Sequence, residues 1–533
     1  MDTKTGGICR RCERALTLGV AALAGYVACA WFPTPAKLLS EHGQGYQLAG
    51  AAEILAGRHP FIDFSDIVYG PLMYYVSALA QGVTGGRVGG ELALAVGAFA
   101  LGYALFFRLL RACAVPAGIA VTATVIAILV QPAAYRYYHL LLPVLVFTAV
   151  WRYGAAPGRL RLVVMGMAVT VTGLYRSDLG VITFGAGVVT ILVGDADRRT
   201  KGTRSLAFAG AVLGCALPWL GWLAMNGKLA GYLANASLDA LAAGEGLFRP
   251  APRLDFAHGF LNAENAKAVL FRLPLLMVGF AGATLLAYWG QLAGAMRARL
   301  SGVLAFAVLT QFSGLVIFDW IHVRDTLPMR IFLLAWIAGV AVNSAGDGSA
   351  VAKARRVLLL GTVGMIGVGL VIGALAKETP RELAPSAVMG KVQAYAAGRA
   401  EFLAEVRAAG VNFRAELYEY LRDHSAPDEA VFAVIEAPQA NYFADRRLPG
   451  AQLAIFPGYF SSPEDQRRLI AEIRRGRTAF VVLDHLAQPE YPDFSLPTFA
   501  PEFWSFLETE FVEVVQIGYC RVLTPRNRAA MTP

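Results

Sequence analysis

Charged and histidine side chains stand beside apolar segments at five separate places in this 533-residue sequence. They are Glu41 with His42, Asp63 with Asp66, Arg136 with His139, Arg176 with Asp178, and the group Asp319, His322, Arg324, Asp325 and Arg330. Arginine carries a planar, permanent charge that matches the oxygens of a phosphate group. A carboxylate can accept the proton of an attacking hydroxyl. If the five places converge in one cavity, these residue types suit the displacement of a phosphate leaving group, for which no nucleotide cofactor is expected.

The composition is that of a membrane protein. Hydrophobic residues make up 56% of the sequence and charged residues 16%, whereas a soluble domain has about 25% charged residues. The chain is therefore predicted to cross the lipid bilayer several times. The net charge of +9 resides in residues 1–376, which hold 30 basic and 17 acidic residues, while residues 377–533 hold 17 and 21. Because basic loops orient membrane helices, this excess does not indicate binding to nucleic acid.

Apolar segments that approach the length of about 20 residues needed to span a membrane are frequent. Eleven are predicted, at residues 15–33, 89–107, 113–131, 139–151, 162–175, 179–194, 205–225, 268–290, 301–318, 327–345 and 357–376. With a cytoplasmic N-terminus, the inner segments hold 18 basic and five acidic residues, as the positive-inside rule requires. The sequence thus predicts a mainly α fold with about 11 transmembrane helices, and the odd number places the C-terminal region outside the cytoplasm.

Two of the predicted outer loops are long, residues 34–88 and residues 226–267. Within the first loop, residues 71–82 are apolar but extend only about 18 Å as a helix, which is too short to cross a bilayer. We predict that residues 71–82 and residues 44–56 form helices that lie along the membrane surface.

From Lys377 onward the pattern changes to that of a soluble domain. The runs EAVFAVI and TAFVVLDH predict buried strands, SPEDQRRLIAEIRRG predicts a capped amphipathic helix, and FVEVVQIGYCRVL predicts strands near the end. The sequence therefore divides into a transmembrane domain of residues 1–376 and a small α/β domain of residues 377–533. The expected role of the second domain is support or recognition of an acceptor.

Several candidate residues have a simpler interpretation beside the functional one. Arg176 and Asp178 can serve as a snorkelling arginine and a helix cap, and Asp63 can cap a turn after a proline. The DWIHVRD run, residues 319–325, can be a solvated turn. Its acids and histidine have a spacing compatible with a metal site, yet they form no defined motif. No metal ligand is assigned, and the sequence leaves open whether a divalent metal ion takes part.

The first outer loop resembles that of a known family. Its run ILAGRHPFIDF, from Ile54 to Phe64, followed by Gly70-Pro71-Leu72, is similar to the first extracytoplasmic loop of the GT-C superfamily of polyprenyl-phosphate-sugar-dependent glycosyltransferases. That superfamily includes protein mannosyltransferases and aminoarabinose transferases. Where many members carry an acidic pair, this sequence has Gly43 and Gln44, and Glu41 is the nearest acid.

The resemblance implies a membrane glycosyltransferase that moves a sugar from a polyprenyl-phosphate donor to an extracytoplasmic glycan, lipid or protein. The expected location is the inner membrane of a bacterium, with the C-terminal domain in the periplasm. The implied catalytic acids are Glu41 as base, with Asp63 or Asp66 positioning the acceptor or a divalent ion. The predicted substrate-binding residues are His42, Tyr69, Arg136, His139, Arg176, Asp178, His322, Arg324 and Asp325, among which Arg176 and Arg324 are expected to hold the lipid phosphate.

Two other functional classes compete with this interpretation. The first is a transporter or flippase for a lipid-linked sugar, although transporters tend to place polar or broken helices near the midplane, whereas here the charges stand at one edge. The second is a non-catalytic membrane scaffold whose outer charges can be neutralised without consequence.

Overall fold

A computed structural model describes residues 10–40, 42–64, 69–235, 263–316, 320–343, 350–375, 380–410, 412–435, 438–455, 457, 460, 462–490 and 494–529. The chain is mostly helical with a small sheet near the C-terminus, which confirms the mainly α fold class. It divides into two compact units. The bundle unit comprises residues 1–32, 95–218 and 248–388, and the loop–tail unit comprises residues 33–94, 219–247 and 389–533.

The helices of the described residues are given in chain order. They are α1 (Arg10–Ala30), α2 (Pro35–Leu38), α3 (His42–Leu55), α4 (Pro71–Val83), α5 (Gly89–Ala112), α6 (Ala117–Leu129), α7 (Tyr138–Ala155), α8 (Arg159–Tyr175), α9 (Ser177–Val193), α10 (Arg198–Met225), α11 (Leu229–Asn235), α12 (Ala263–Ala287), α13 (Gly294–Val316), α14 (Trp320–Asn343), α15 (Ala350–Leu375), α16 (Pro385–Ala396), α17 (Arg399–Ala408), α18 (Phe413–Asp423), α19 (Gln439–Ala444), α20 (Pro463–Arg475), α21 (Leu496–Phe499), α22 (Pro501–Glu510) and α23 (Arg526–Ala529).

Each predicted span coincides with one of these helices, namely α1, α5 to α10, or α12 to α15. By length and composition, four helices among the described residues can cross a membrane: Arg10–Ala30, Gly89–Ala112, Arg198–Met225 and Val323–Asn343. Shorter apolar helices occupy Ala117–Leu129, Ser177–Val193, Arg272–Ala287 and Arg356–Gly367. The count of eleven spans therefore stays a prediction.

Within the bundle unit, α14 is a central helix that packs against α6, α7, α12, α13 and α15. Helices α8 and α9 form a tight hairpin, with the extended backbone of Arg176 as its only connection. A Cβ atom on Gly180 would lie 2.5 Å from the Cα of Gly173. The hairpin closes this tightly because position 180 is glycine, whereas a Cβ atom on Gly173 would lie at an ordinary 3.7 Å from Gly180.

Within the loop–tail unit, the predicted surface helices 44–56 and 71–82 are present as α3 and α4, which pack together. Three buried tyrosines of the C-terminal region donate hydrogen bonds to backbone carbonyls of residues 33–94. Tyr395 donates to Pro33 at 2.8 Å, Tyr418 to Leu39 at 2.9 Å and Tyr442 to Gly86 at 2.8 Å. The first outer loop and the C-terminal region thus form one compact unit, a grouping that the sequence did not predict. The domain boundary at residues 376 and 377 stays a prediction.

The sheet of the loop–tail unit has the strand order β1-β2-β4-β3, with β1 (Ala430–Val434), β2 (Thr478–Leu483), β3 (Phe511–Ile517) and β4 (Cys520–Pro525). Strands β1 and β2 are parallel and fully buried, while β4 pairs antiparallel with both β2 and β3. Helix α20 provides the connection from β1 to β2 that parallel strands need. These elements confirm the strands and the amphipathic helix predicted from the C-terminal sequence.

Candidate active site

Ten polar side chains of the bundle unit, which we call the arginine–tyrosine cluster, come from helix ends that are far apart in sequence. They are Tyr135, Arg136, Tyr137, Tyr138, His139, Tyr175, Arg176, Asp178, Arg324 and Asp325. Six of them are sequence-predicted site residues. The cluster contains three arginines and two aspartates, so its formal charge is +1 with the histidine neutral.

Arg136 and His139 meet Asp325 in the interior of the bundle unit. Arg136 NH1 donates to Asp325 Oδ2 at 2.6 Å, and His139 Nε2 lies 3.5 Å from the same oxygen. The three side chains are at most 9% exposed. A buried carboxylate with a charged hydrogen-bond partner is strongly oriented. The structure brings these three residues together, and their role in substrate binding stays a prediction.

Arg324 and Arg330, both on α14, are buried and bond to neutral acceptors. Arg324 directs Nε to the backbone carbonyl of Gln131 at 2.7 Å and NH2 to the same oxygen. Arg330 donates to the carbonyl of Ala307 at 2.7 Å and to Gln311 Oε1 at 2.9 Å. These carbonyl and amide oxygens orient the two guanidiniums in the interior of the bundle unit.

Arg176 lies in the short connection between α8 and α9. Its Nε donates to Asp178 Oδ1 at 2.8 Å, and NH1 lies 3.5 Å from the hydroxyl of Tyr138. Asp178 Oδ1 also accepts the backbone N–H of Leu179 at 2.7 Å. The N-cap position is Arg176, whose side chain makes no capping hydrogen bond, and Asp178 lies in the first turn of α9. Both side chains remain partly exposed, at 15% and 18%.

Tyrosines connect the Arg176 part of the cluster to the Arg136 part. Tyr138 stacks near His139 with ring centroids 4.6 Å apart and lies 5.9 Å from the ring of Tyr175. The hydroxyls of Tyr137 and Tyr175 are 2.9 Å apart, and Arg136 Nε donates to the hydroxyl of Tyr135 at 3.0 Å. These four tyrosines were not among the site residues predicted from the sequence. The signal was the run YRYYH, residues 135–139, in which three of them flank the arginine and histidine.

The first outer loop belongs to the loop–tail unit, and Asp63 is exposed there. Asp63 Oδ2 accepts the backbone N–H of His59 at 2.8 Å, which is the turn-capping contact considered from the sequence. Arg58 donates to the backbone carbonyl of Asp63 at 2.6 Å and forms an ion pair with Glu53 at 2.6 Å. Tyr69 is buried, and its ring lies 5.7 Å from that of Tyr46.

The remaining predicted site residues lie outside the described part of the chain. Glu41, Asp66 and Asp319 are not described, and neither are the side chains of His42 and His322. Among the described residues, no three histidine, cysteine, aspartate or glutamate side chains form a group that could hold a metal ion.

A cavity of about 620 Å³ lies in the C-terminal part of the loop–tail unit, apart from every predicted site residue. Arginines that line the cavity form ion pairs with nearby acids: Arg474 pairs with Glu510, and Arg528 pairs with Glu429. Arg526 donates to the backbone carbonyls of Thr509 and Glu508. We assign no role in catalysis to this cavity.

The sequence matches no protein-family model and no curated protein. Among solved structures, the chain is similar to ArnT from Cupriavidus metallidurans bound to undecaprenyl phosphate, with 12% identity, a TM-score of 0.51, and coverage of 97% of this chain and 98% of ArnT. The archaeal oligosaccharyltransferase AglB from Archaeoglobus fulgidus, in complex with an inhibitory peptide and a dolichol-phosphate, matches at 11% identity and a TM-score of 0.48, covering 94% and 73%. The likeness to ArnT shows that this chain has the fold of that protein over nearly its whole length.

Proposed function

We propose that this protein is a membrane glycosyltransferase that moves a sugar from a polyprenyl-phosphate donor to an acceptor outside the cytoplasm. The observation that carries the proposal is the arginine–tyrosine cluster, in which Tyr138 and His139 link Arg176 to the buried Arg136–Asp325 pair, with Arg324 next to Asp325 in the chain. The ArnT structure, which holds undecaprenyl phosphate, supports the choice of donor class. An inner-membrane location with a periplasmic C-terminal region is part of the proposal.

The proposed reaction breaks the bond between the anomeric carbon of the donor sugar and its phosphate oxygen. A hydroxyl of the acceptor forms the new bond to that carbon, its proton passes to a carboxylate, and the polyprenyl phosphate leaves with the electron pair. Arg176 and Arg324 bind the phosphate and stabilise the negative charge that develops on it. Arg136, held by Asp325, orients the surrounding side chains and adds positive potential.

The assignment of the base rests on the resemblance of the first outer loop. Glu41 takes the proton, Asp63 or Asp66 positions the acceptor or a divalent ion, and His42, Tyr69, His139, Asp178 and His322 line the substrate path. Asp63 has the exposure that an acceptor-binding carboxylate needs. Its contact with the His59 N–H holds the side chain in one orientation.

The experiment that tests the function compares the cell-envelope glycans and lipid-linked sugars of a deletion strain with those of the parent by mass spectrometry. We expect one defined sugar to disappear from the envelope while its polyprenyl-phosphate form accumulates. Complementation with Glu41→Gln should express the protein and leave the sugar missing. Full restoration by Glu41→Gln would remove the proposed base.

The same strain separates the two rival functions. A flippase for a lipid-linked sugar predicts accumulation of the donor only on the cytoplasmic side, and transfer in a membrane extract supplied with donor and acceptor would then proceed without the protein. A scaffold predicts an unchanged lipid-linked pool and full complementation by variants that neutralise the cluster. Either result would overturn the transferase proposal.

A further inference from the structure

Six aromatic side chains of the loop–tail unit form one continuous row, which we call the aromatic platform. They are His59, Phe61, Tyr75, Trp219, Trp222 and Tyr232. Trp222 contacts His59 and Trp219, with ring centroids 5.3 Å and 5.1 Å away, and Tyr232 contacts Phe61 and Trp219 at 5.0 Å and 6.1 Å. The residues come from the first outer loop, α4, the end of α10 and α11, so the fold assembles the row from distant parts of the sequence.

The exposure of the platform distinguishes it from core packing. His59 is exposed, and the other five members are partly exposed. By contrast, Phe64 and Tyr74, which belong to the same outer loop and pack against each other, are 1% and 0% exposed. Aromatic rings that only fill a core lose nearly all contact with solvent. Each residue of the platform keeps part of its surface exposed.

Polar groups border the rings. Tyr75 O–H and His59 Nδ1 lie 3.0 Å apart and share a hydrogen bond, and the exposed carboxylate of Asp63 accepts the His59 backbone N–H at 2.8 Å. Five of the six members carry a ring nitrogen or a hydroxyl. A sugar ring has an apolar C–H face and a rim of hydroxyls, so it needs flat aromatic surface next to hydrogen-bonding groups.

The backbone at Phe61 has a conformation that an aromatic residue rarely adopts. Its φ angle is 64°, in the left-handed region, and the turn is held by hydrogen bonds from Phe61 N–H to Phe64 and from Asp63 N–H to His59 at 2.5 Å and 2.9 Å. The turn aims the Phe61 ring at Tyr232 in an edge-to-face contact. Strain of this kind is concentrated at ligand-binding and catalytic sites.

We infer that the aromatic platform binds the pyranose ring of a sugar substrate, with Asp63 beside it as a hydrogen-bond acceptor. The inference rests on the proposed function and extends it by locating where a sugar is recognised. The competing explanation is an aromatic belt at the membrane interface, where Trp and Tyr are enriched. A belt requires neither a strained Phe61 nor a histidine hydrogen-bonded to a tyrosine.

The test is titration of the full chain in lipid nanodiscs, followed by tryptophan fluorescence. The acceptor-type probes are the methyl glycosides of glucose, galactose, mannose and rhamnose, and the donor-type probes are the geranyl phosphates of the same sugars. We expect at least one sugar-bearing probe to give a saturable change, with Trp222→Leu and Phe61→Leu weakening its affinity about tenfold. Trp222→Tyr should stay within about threefold of wild type. A response to a methyl glycoside would identify the bound sugar as that of the acceptor, and a response to a sugar geranyl phosphate would identify it as that of the donor.

Two controls accompany the titration. Trp289→Leu removes an exposed tryptophan of the bundle unit and should leave the affinity unchanged. Geranyl phosphate without a sugar should bind the wild type and Trp222→Leu equally. The inference is overturned if none of the eight sugar probes saturates, or if Trp222→Leu, shown by gel filtration to be folded, binds the responsive probe as wild type does.

The sugar-binding experiment and the deletion-strain experiment can fail independently of each other. If the deletion strain keeps its envelope glycans while the platform variants lose sugar binding, the transferase proposal fails and the platform stands. If the strain loses a sugar that Trp222→Leu restores at the wild-type rate, the transferase proposal stands and the platform fails.

Discussion

Arg136 and Asp325 are 189 positions apart in sequence, yet NH1 of the arginine donates to Oδ2 of the aspartate at 2.6 Å in the interior of the bundle unit. The pair joins the start of α7 to α14, and His139 approaches the same carboxylate oxygen. A buried ion pair holds both partners in one geometry, because either charge alone would be costly in that environment. We expect the arrangement of the proposed phosphate site to depend on this contact.

Asp325→Asn tests the buried pair. It leaves the Arg136 guanidinium buried without its carboxylate, and loss of one partner of such a pair costs about 3–5 kcal/mol of unfolding free energy. We expect a large decrease in thermal stability, measured on the purified chain. The control is Asp195→Asn, whose exposed carboxylate faces Arg297 and should change stability by less than about 1 kcal/mol. Equal stability of the two variants would show that the pair is not structurally required.

Arg176→Ala tests phosphate binding. Removing a guanidinium that stabilises the leaving phosphate should lower kcat/KM for the lipid-linked donor about 100-fold. Arg176→Lys should be intermediate, because an ammonium keeps the charge but lacks the planar fork. Arg159→Ala, at the opposite end of the same helix and exposed, is the matched control. Donor kinetics like those of wild type in Arg176→Ala would argue against this residue as a phosphate ligand.

Glu53→Gln tests the contact between the first outer loop and the C-terminal region. Burial raises the pKa of Glu53 above its ordinary value of 4.5, although Arg58 and the Leu448 N–H act in the opposite direction. The folded state therefore binds the proton more tightly than the unfolded state, and stability falls as the pH rises from about 4.5 through the raised pKa. The amide has no proton to lose, so the variant should lack this part of the decline.

The measurement for Glu53 is the thermal midpoint of wild type and variant from pH 4.5 up to about pH 7.5. Wild type should lose stability relative to Glu53→Gln across this range. Glu405→Gln, which removes an exposed acid of the same unit, is the charge-matched control. A constant difference between wild type and Glu53→Gln at every pH would exclude the proposed proton linkage.

Asp484→Asn tests the core of the loop–tail unit. Asp484 follows β2 directly and pairs with Arg414 at 3.0 Å, with both side chains 2% exposed. Its loss should cost about 3–5 kcal/mol. The comparison variant is Asp428→Asn, which breaks the exposed pair with Arg477 and should cost less than about 1 kcal/mol. Hydrogen exchange of β2 reports the difference; equal protection in both variants would contradict this account.

Local patterns in the sequence predicted the elements well, because a helix or strand reflects the periodicity of neighbouring residues. The run SPEDQRRLIAEIRRG predicted α20 together with its serine cap, and residues 71–82 predicted α4. Part of the candidate site could also be predicted, because its charged residues stand at the ends of predicted helices. Arg136, His139 and Asp325 were singled out in this way, and the structure brings them together.

The long-range contacts between side chains could not be predicted from local sequence patterns. No periodicity indicates that Asp325 would select Arg136 as its partner, or that Tyr418 would donate to Leu39 across 379 positions. Trp219 and Trp222 fall within the apolar segment 205–225, and nothing in that segment indicates their contacts with His59 and Tyr232, which depend on the tertiary fold. Long-range contacts of this kind decide both the proposed phosphate site and the aromatic platform.

The most direct test of the central proposal is a cryo-EM map of the full chain in lipid nanodiscs with added undecaprenyl phosphate. We predict phosphate density within hydrogen-bonding distance, about 3 Å, of the guanidinium of Arg176 or Arg324. A map in which the phosphate is bound at another site, with both arginines engaged only by protein groups, would contradict the account.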